Sequence, residues 1–110
     1  MIVVIDDESD FLKALVGLLE LEAYEVSGFD NFEVAKSFIF ENKNRIKLIL
    51  CDYHIKEGES IAFLSQLPPE IACCLMSGDD QLEQVKYPII NKPFQFEELF
   101  QLIDDNIRSS

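Results

Sequence analysis

Residues 2–8 of the chain read IVVIDDE, an apolar run that leads directly into three acidic side chains. Three further apolar runs also end in polar residues: 48–52 reads LILCD, 71–78 reads IACCLMSG and 89–93 reads IINKP. In an open parallel sheet, ligands bind outside the carboxyl ends of the strands. If the four runs are parallel strands, polar residues spread over about ninety positions meet at one edge of the sheet. The sequence therefore predicts one polar site built from four strand ends.

The composition is that of one folded domain spanning residues 1–110. Hydrophobic residues make up 48% of the 110 positions, enough for a single core and too many for a disordered chain. No apolar run approaches the roughly 18 residues that a membrane span requires. Because Met1 leads at once into an apolar strand, with no basic segment and no cleavage site, we expect no secretory signal and a cytoplasmic location.

The charge balance argues against a nucleic-acid partner for this domain. Nine Lys and Arg residues stand against 21 Asp and Glu residues, which gives a net charge of −12. Binding to nucleic acid requires a basic face, and the acidic residues here are spread along the chain. Most of them are expected to lie on solvated helix surfaces.

The three cysteines are predicted to be reduced core residues. Cys51, Cys73 and Cys74 all lie in apolar strand-like runs, and the adjacent pair points to opposite faces of its strand. An odd number of cysteines leaves at least one unpaired, and no CxxC spacing indicates zinc. We therefore expect inert thiols rather than a disulfide or a metal centre.

Short apolar runs alternate with amphipathic segments along the whole chain, which is typical of βαβ units and a parallel sheet. The predicted strands cover 2–6, 24–29, 46–51, 71–76 and about 87–91. The predicted helices cover 9–22, from an N-cap at Asp30 to about 43, about 59–67, and about 95–108. Their predicted core residues are Phe11, Leu15, Leu18 and Leu19 in the first helix, Val34, Phe38 and Ile39 in the second, and Phe96, Leu99, Phe100, Ile103 and Ile107 in the last.

One connection is too short for the regular pattern. Only residues 78–86 separate the fourth and fifth strands, whereas a crossover with its own helix needs roughly 10–12 residues. We therefore predict that the fourth helix is shortened or missing.

The acidic residues at the strand ends have the chemistry of a Mg²⁺ site. Asp6, Asp7 and Asp52 repel one another unless a cation lies among them. A set of hard oxygen ligands without Cys or His favours Mg²⁺, which binds one or two carboxylates together with water and phosphate oxygens. Both Asp6 and Asp7 can face the metal only if the strand has ended, as the loop starting at Asp7 allows.

Asp52, alone at the end of the central strand, is the candidate nucleophile. A carboxylate can form an aspartyl-phosphate by in-line attack on phosphorus. The Ser77 hydroxyl and the Lys92 ammonium could each bind a phosphoryl oxygen, and Gly78 would let backbone N–H groups approach. Taken singly, each residue would pass as an ordinary turn, cap or helix start, so the interpretation depends on their conjunction.

Together these residues resemble the receiver domain of a bacterial two-component response regulator of the chemotaxis-regulator kind. The resemblance covers the whole chain and is carried by the acidic pair Asp6-Asp7, by Asp52, by Ser77-Gly78 and by Lys92-Pro93-Phe94. It implies a flavodoxin-like, doubly wound sheet of five parallel strands in the order 2-1-3-4-5. It also implies that Asp52 is the phosphoacceptor and that Mg²⁺ is bound by Asp6, Asp7, Asp52 and the backbone carbonyl of His54.

The same resemblance implies the partners and the reaction. A sensor histidine kinase or phosphotransfer protein would supply the phosphoryl group, and an output domain or a homodimer would respond to it. From the charge balance and the short apolar runs, we expect the domain to bind neither nucleic acid nor membrane. It would be no enzyme beyond self-catalysed phosphotransfer and slow dephosphorylation.

Several positions depart from the family pattern. Lys56 stands where receivers usually have Pro, Ser60 where they usually have Gly, and Ile89 where they usually have an aromatic switch residue. Tyr87 is aromatic but is expected to lie far from the end of the strand that carries Ser77. We therefore predict that the phosphoryl chemistry is retained while the readout surface differs.

Two alternatives remain open at this stage. A small phosphatase of the haloacid-dehalogenase type would also use an Asp nucleophile, Mg²⁺ and Lys. That family, however, places its nucleophile in an Asp-x-Asp pattern after the first strand, which Asp6-Asp7-Glu8 lacks. A degenerate receiver would serve only for protein contacts, against which the complete set of key residues argues.

Overall fold

The structure, a computed structural model, describes residues 1–53, 59–78 and 86–108. Its strands are β1 (Ile2–Ile5), β2 (Val26–Phe29), β3 (Leu48–Asp52), β4 (Ala72–Ser77) and β5 (Ile89–Asn91). Its helices in the described ranges are α1 (Ser9–Leu21), α2 (Phe32–Glu41), α3 (Glu59–Ser65) and α4 (Phe96–Arg108).

All five strands pair in parallel, in the order β2-β1-β3-β4-β5. This confirms the predicted flavodoxin-like sheet. The direction in which strands are added reverses between β1 and β3. The chain places β2 on one side of β1 and then adds β3, β4 and β5 on the opposite side. Ligands of such sheets bind at the carboxyl ends of the strands beside this reversal point.

The central strands β1 and β3 lie in the core, and every one of their residues is buried. Such uninterrupted apolar strands are typical of parallel sheets covered on both faces. Val3 and Ile5 pack on one face with α2 and α3, whereas Ile2 and Val4 pack on the other with α1 and α4. Each fully buried Leu or Ile side chain contributes about 1.5–3 kcal/mol by leaving water.

Helix α1 lies unusually close to the edge strand β2. A Cβ added at Gly28 of β2 would lie 2.9 Å from a methyl carbon of Val16 and 3.1 Å from one of Leu12. A residue with a Cβ at this position would require the Val16 or Leu12 side chain to shift. Leu12 and Val16 therefore join the core on this face, although the sequence analysis did not select them.

The predicted helix faces are largely right, with two corrections. Leu15 and Leu19 of α1, and Leu99 and Ile103 of α4, are buried as expected. Val34 is 58% exposed, since Ala35 and Ile39 supply the buried positions of α2. Phe96, the first residue of α4, is 55% exposed, whereas Leu99 one turn later is fully buried.

The N-cap of α2 is also corrected. Asn31, not Asp30, caps the helix, and its side-chain oxygen accepts hydrogen bonds from the backbone N–H groups of Glu33 and Val34 at 2.8 and 3.1 Å. Asp30 is thereby left one position before the cap and is exposed. Asp30 also lines the cleft beside Asp6, Asp7 and Asp52 that is described below.

The predicted helix between β4 and β5 falls on residues 79–85, which lie outside the described residues. The fourth helix of the described chain, α4, is present and corresponds to the helix predicted for about 95–108. None of the helices in the described ranges combines the length and the apolar composition needed to cross a bilayer.

Candidate functional site

Three carboxylates meet at the carboxyl edge, beside the reversal point between β1 and β3. Asp6 and Asp7 follow β1, and Asp52 is the last residue of β3. The backbone register places Ile5 beside Cys51, so Asp6 and Asp52 come next on neighbouring strands. One oxygen from each of the three carboxylates lies within 4.8 Å of the others, with Asp6 and Asp52 buried and Asp7 exposed.

The Asp6 side chain is held from two sides. Its Oδ1 accepts a hydrogen bond from the backbone N–H of Glu8 at 2.8 Å, which shapes the turn between β1 and α1. Its Oδ2 accepts a hydrogen bond from the Lys92 ammonium, also at 2.8 Å. A carboxylate as buried as this one must be paired, and these two donors satisfy it.

The Lys92 ammonium bridges two of the carboxylates. Its Nζ lies 2.8 Å from Asp6 Oδ2 and 2.7 Å from Asp52 Oδ1. Its side chain is only 19% exposed, so both ion pairs are largely shielded from solvent. Lys92 follows β5 and precedes Pro93 through a cis peptide bond.

The ion pairs set the charge state of the lysine. Burial alone would lower the pKa of Lys92, but the hydrogen bonds and charges of Asp52 and Asp6 outweigh it and raise that pKa above its ordinary value. The ammonium is therefore fully charged at neutral pH. It supplies a fixed positive charge next to the candidate phosphoacceptor.

Ser77 reaches the same edge as the last residue of β4. It is buried, with 1% of its surface exposed, and its backbone carbonyl accepts a hydrogen bond from the Lys92 backbone N–H at 2.6 Å. In the sheet, Ser77 pairs with Asn91, the residue before Lys92. The hydroxyl residue and the lysine are thus fixed to each other through the backbone.

Ser60 holds the backbone of Asp52 in place. Its buried hydroxyl donates a hydrogen bond of 2.6 Å to the Asp52 carbonyl, linking the first turn of α3 to the end of β3. A glycine at this position, as receivers usually have, could not make that bond. The sequence analysis noted the departure at Ser60 but not this role.

The carboxylates open into a cleft of about 230 Å³. Its lining consists of Ile5, Asp6, Asp7, Asp30, Asn31, Phe32 and Asp52. Sequence reasoning missed Asp30 and Asn31, although they follow β2 and the same strand-end rule places them at this edge. The cleft has room for a small polar group beside Asp52.

The aromatic ring of Phe11 covers another side of the Lys92 ammonium. Nζ lies 4.3 Å from the ring centroid, within the range of a cation–π contact. Phe11 belongs to the first turn of α1, and its ring meets that of Phe94 edge to face, with the centroids 6.1 Å apart. The sequence analysis assigned Phe11 only to the core.

The donor set fits a hard divalent cation. Asp6, Asp7 and Asp52 would hold Mg²⁺, because they offer only oxygen ligands, close together, at the mouth of a polar cleft. The further ligand predicted from the resemblance, His54, lies outside the described residues, as does Lys56.

Ile89, at the position where receivers usually have an aromatic switch residue, begins β5. Ile89 pairs with Leu75, two residues before Ser77 along β4, and is partly buried. Tyr87 precedes β5 and packs against the same core cluster, on the side shared with Ile89. Tyr87 therefore lies toward the amino end of the strand pair and cannot replace an aromatic residue at position 89.

The cysteines take no part in this site. All three are free thiols, with Cys51 and Cys74 buried and Cys73 partly buried. Cys73 and Cys74 pack against opposite faces of the sheet, as predicted. Burial raises the pKa of the Cys73 thiol to about 11 and that of Cys74 to about 12, so both stay protonated at neutral pH.

Comparison with known proteins identifies similar folds among solved structures. No protein-family model matches the chain, and no curated protein matches it. Solved structures do match. The receiver domain of NtrX from Brucella abortus is 24% identical, with a TM-score of 0.81 and 100% of both chains covered.

Two further structures agree. A response regulator receiver domain protein from Clostridium thermocellum is 23% identical, with a TM-score of 0.85, covering 98% of this chain and 94% of its own. The beryllofluoride-activated NtrC4 receiver domain dimer is 21% identical, with a TM-score of 0.77, covering 98% of this chain and 96% of its own. The chain thus has the fold of response-regulator receiver domains. Its resemblance to the chemotaxis kind in particular stays a prediction.

Proposed function

We propose that this chain is a phosphorylatable receiver domain of a two-component system, with Asp52 as the phosphoacceptor. The observation that carries the proposal is the bridging of Asp6 and Asp52 by one largely shielded ammonium, that of Lys92. The receiver fold supports it independently. A purely structural ion pair would not need a third carboxylate, Asp7, at the mouth of an open cleft.

The phosphotransfer step begins with the Asp52 carboxylate. One carboxylate oxygen attacks the phosphorus of a phosphohistidine in line, and a new O–P bond forms. The P–N bond breaks, and the imidazole leaves with the bonding electron pair and takes up a proton. The product is an acyl phosphate on Asp52, which water later hydrolyses to return the carboxylate and inorganic phosphate.

Two side chains would stabilise the charge that spreads over the phosphoryl oxygens. Lys92 already lies at hydrogen-bond distance from Asp52, so a phosphoryl group on that carboxylate comes within reach of its ammonium. Ser77 is fixed beside Lys92 at the same edge, and its hydroxyl would donate to a second oxygen. When bound to Asp6, Asp7 and Asp52, Mg²⁺ would neutralise further negative charge on the phosphoryl group.

The partners follow from the same chemistry. A sensor histidine kinase or a phosphotransfer protein would present the phosphohistidine, and an output domain or a second copy of the chain would respond to the new charge. The net charge of −12 favours these partners over nucleic acid. We further propose that residues 1–110 form one cytoplasmic domain. This domain would not turn over other substrates.

The experiment that tests this function is uptake of a phosphoryl group from acetyl phosphate, followed by intact mass. With Mg²⁺ present, we expect the mass of one added phosphoryl group, and we expect none with EDTA or in Asp52→Asn. The matched control is Asp105→Asn, an exposed carboxylate on α4 away from the site, which should gain the same mass as the native chain.

Each outcome has a definite meaning. Equal uptake by Asp52→Asn and the native chain would overturn the assignment of Asp52. No uptake by the native chain, from acetyl phosphate or from a phosphorylated histidine kinase, would overturn the function and favour an interaction-only domain. Continuous release of phosphate from added esters would favour the phosphatase alternative.

A further inference from the structure

Phe11 packs against the core, but its ring also contacts a charged group, which core packing does not require. Its ring face points to the Lys92 ammonium at 4.3 Å, whereas Asp6 and Asp52 bind the same ammonium at 2.8 and 2.7 Å. The charged group therefore has two carboxylates and one aromatic face as neighbours. A leucine would fill similar space in the core but would offer the cation no attraction.

We propose that Phe11 is a positioning residue that holds the Lys92 ammonium where a phosphoryl group on Asp52 will need it. This inference rests on the proposed function, since it concerns the same site. A lysine side chain has four rotatable bonds, so the position of its charged end depends on the groups that bind it, Asp6 and Asp52 among them. An aromatic face adds an attraction that persists when Asp52 changes its charge and shape on phosphorylation.

The geometry makes the aromatic face a stable support. Phe11 lies in the first turn of α1, whose start is held by the hydrogen bond from the Glu8 backbone to Asp6. Its ring meets Phe94 edge to face, and Phe94 is two residues beyond Lys92. The lysine, the ring beside it and the ring that supports it thus belong to two chain segments that contact each other. Because the Lys92 side chain is only 19% exposed, the surrounding protein limits the screening of the cation–π attraction by water.

The test separates the electrostatic effect of the ring from its shape. Phe11 is replaced by phenylalanines that carry one, two or three ring fluorines, which withdraw electron density from the ring face and change its size little. The initial rate of phosphoryl uptake from acetyl phosphate, with Mg²⁺ saturating, is measured for each. The matched control is the same series at Phe38, which packs against Phe29 on the other face of the sheet.

We expect the rate to fall stepwise with each fluorine at position 11, by roughly tenfold across the series. The series at Phe38 should leave the rate within about twofold of the native value, because no cation of the described residues lies over that ring. Equal rates across the Phe11 series would overturn the proposal. If the native chain takes up no phosphoryl group at all, the proposed function fails first, and the second readout then decides on Phe11.

The second readout needs no phosphorylation. Because the Lys92 ammonium lies over the Phe11 ring, we expect the protons of the adjoining methylene to show an upfield ring-current shift in NMR spectra. Phe11→Leu should remove that shift, while Phe11→Tyr, which keeps the ring face, should retain it. An unshifted Lys92 signal in the folded native chain would contradict the contact itself.

Discussion

The Lys92 ammonium lies 2.7 Å from a carboxylate oxygen of Asp52, across 40 positions of sequence. The same ammonium binds Asp6, 86 positions away, so three strands contribute to one ion-pair network. The network compensates two buried negative charges and sets a positive charge beside the candidate phosphoacceptor. Stability and proposed function therefore depend on the same lysine, and the two dependences can be measured separately.

Removing the charge of Lys92 should destabilise the fold. In Lys92→Met, Asp6 and Asp52 lose their shared partner and repel each other, so we expect a loss on the order of 3 kcal/mol in the free energy of unfolding. Chemical denaturation in EDTA at pH 7 measures it. Lys92→Arg, which keeps a positive charge, should lose less.

The control for this prediction is an exposed ion pair. Arg45 and Glu25 also contact each other, but their side chains are 57% and 59% exposed. Arg45→Ala should change the free energy of unfolding by no more than about 1 kcal/mol. If Lys92→Met costs no more than this control, the network contributes nothing to stability and the account of the buried pairs is wrong.

Ser60→Ala should cost about 1–2 kcal/mol in the free energy of unfolding, because the buried Asp52 carbonyl loses its hydroxyl donor. Ser65→Ala on the same helix is the matched control. Its hydroxyl donates to the Ala62 carbonyl on the surface, and its loss should cost less than about 0.5 kcal/mol. Equal losses in the two variants would show that the Ser60 bond has no special importance.

Two apolar residues of α4 should respond very differently to truncation. Leu99 is fully buried, so Leu99→Ala leaves a cavity and should cost about 2–5 kcal/mol. Phe96 is 55% exposed, and Phe96→Ala should cost less than about 1 kcal/mol. Thermal or urea denaturation compares the two. A larger loss for Phe96→Ala than for Leu99→Ala would contradict the exposed position of Phe96 and favour the buried position predicted from the sequence.

Because the buried thiols have raised pKa values, the free energy of unfolding should change with pH in the alkaline range. An unfolded cysteine ionises near pH 9.0, whereas burial raises the folded-state pKa of Cys73 to about 11 and of Cys74 to about 12. Between these values the unfolded chain binds fewer protons than the folded one, so stability falls as pH rises. The contribution is fully present below pH 9 and is lost as pH rises through the folded-state values.

Urea denaturation at pH 8 and pH 10.5, with a reductant present, measures this fall. Lys92 adds to the loss at the upper end, since its pKa is also raised. Cys73→Ala should therefore reduce the slope with pH without abolishing it. An unchanged slope in Cys73→Ala would mean that this thiol ionises equally in both states.

The fold could be predicted from the sequence because its signals are local and repeated. Residues 2–5 and 48–51 are uninterrupted apolar runs, which are typical of strands buried on both faces. Errors arose at helix ends, where short-range signals compete. Asp30 and Asn31 are both good caps, and the backbone at Asn31 decides between them.

The members of the site were predictable, but their contacts were not. Strand ends in a parallel sheet lie at one edge, so Asp6, Asp52 and Lys92 could be grouped by that rule alone. The pairing of Lys92 with both carboxylates depends on side-chain geometry that no spacing encodes. Phe11 is the clearest case, because helical periodicity explains it fully as a core residue and conceals its contact with the ammonium.

The most direct test of the central claim locates the phosphoryl group on the chain. After incubation with acetyl phosphate and Mg²⁺, borohydride reduces an aspartyl-phosphate to homoserine, which peptide mass spectrometry assigns to one residue. We predict homoserine at position 52, absent without acetyl phosphate or with EDTA. Homoserine at Asp6, at Asp7 or at no position in a chain that has gained the phosphoryl mass would contradict the account.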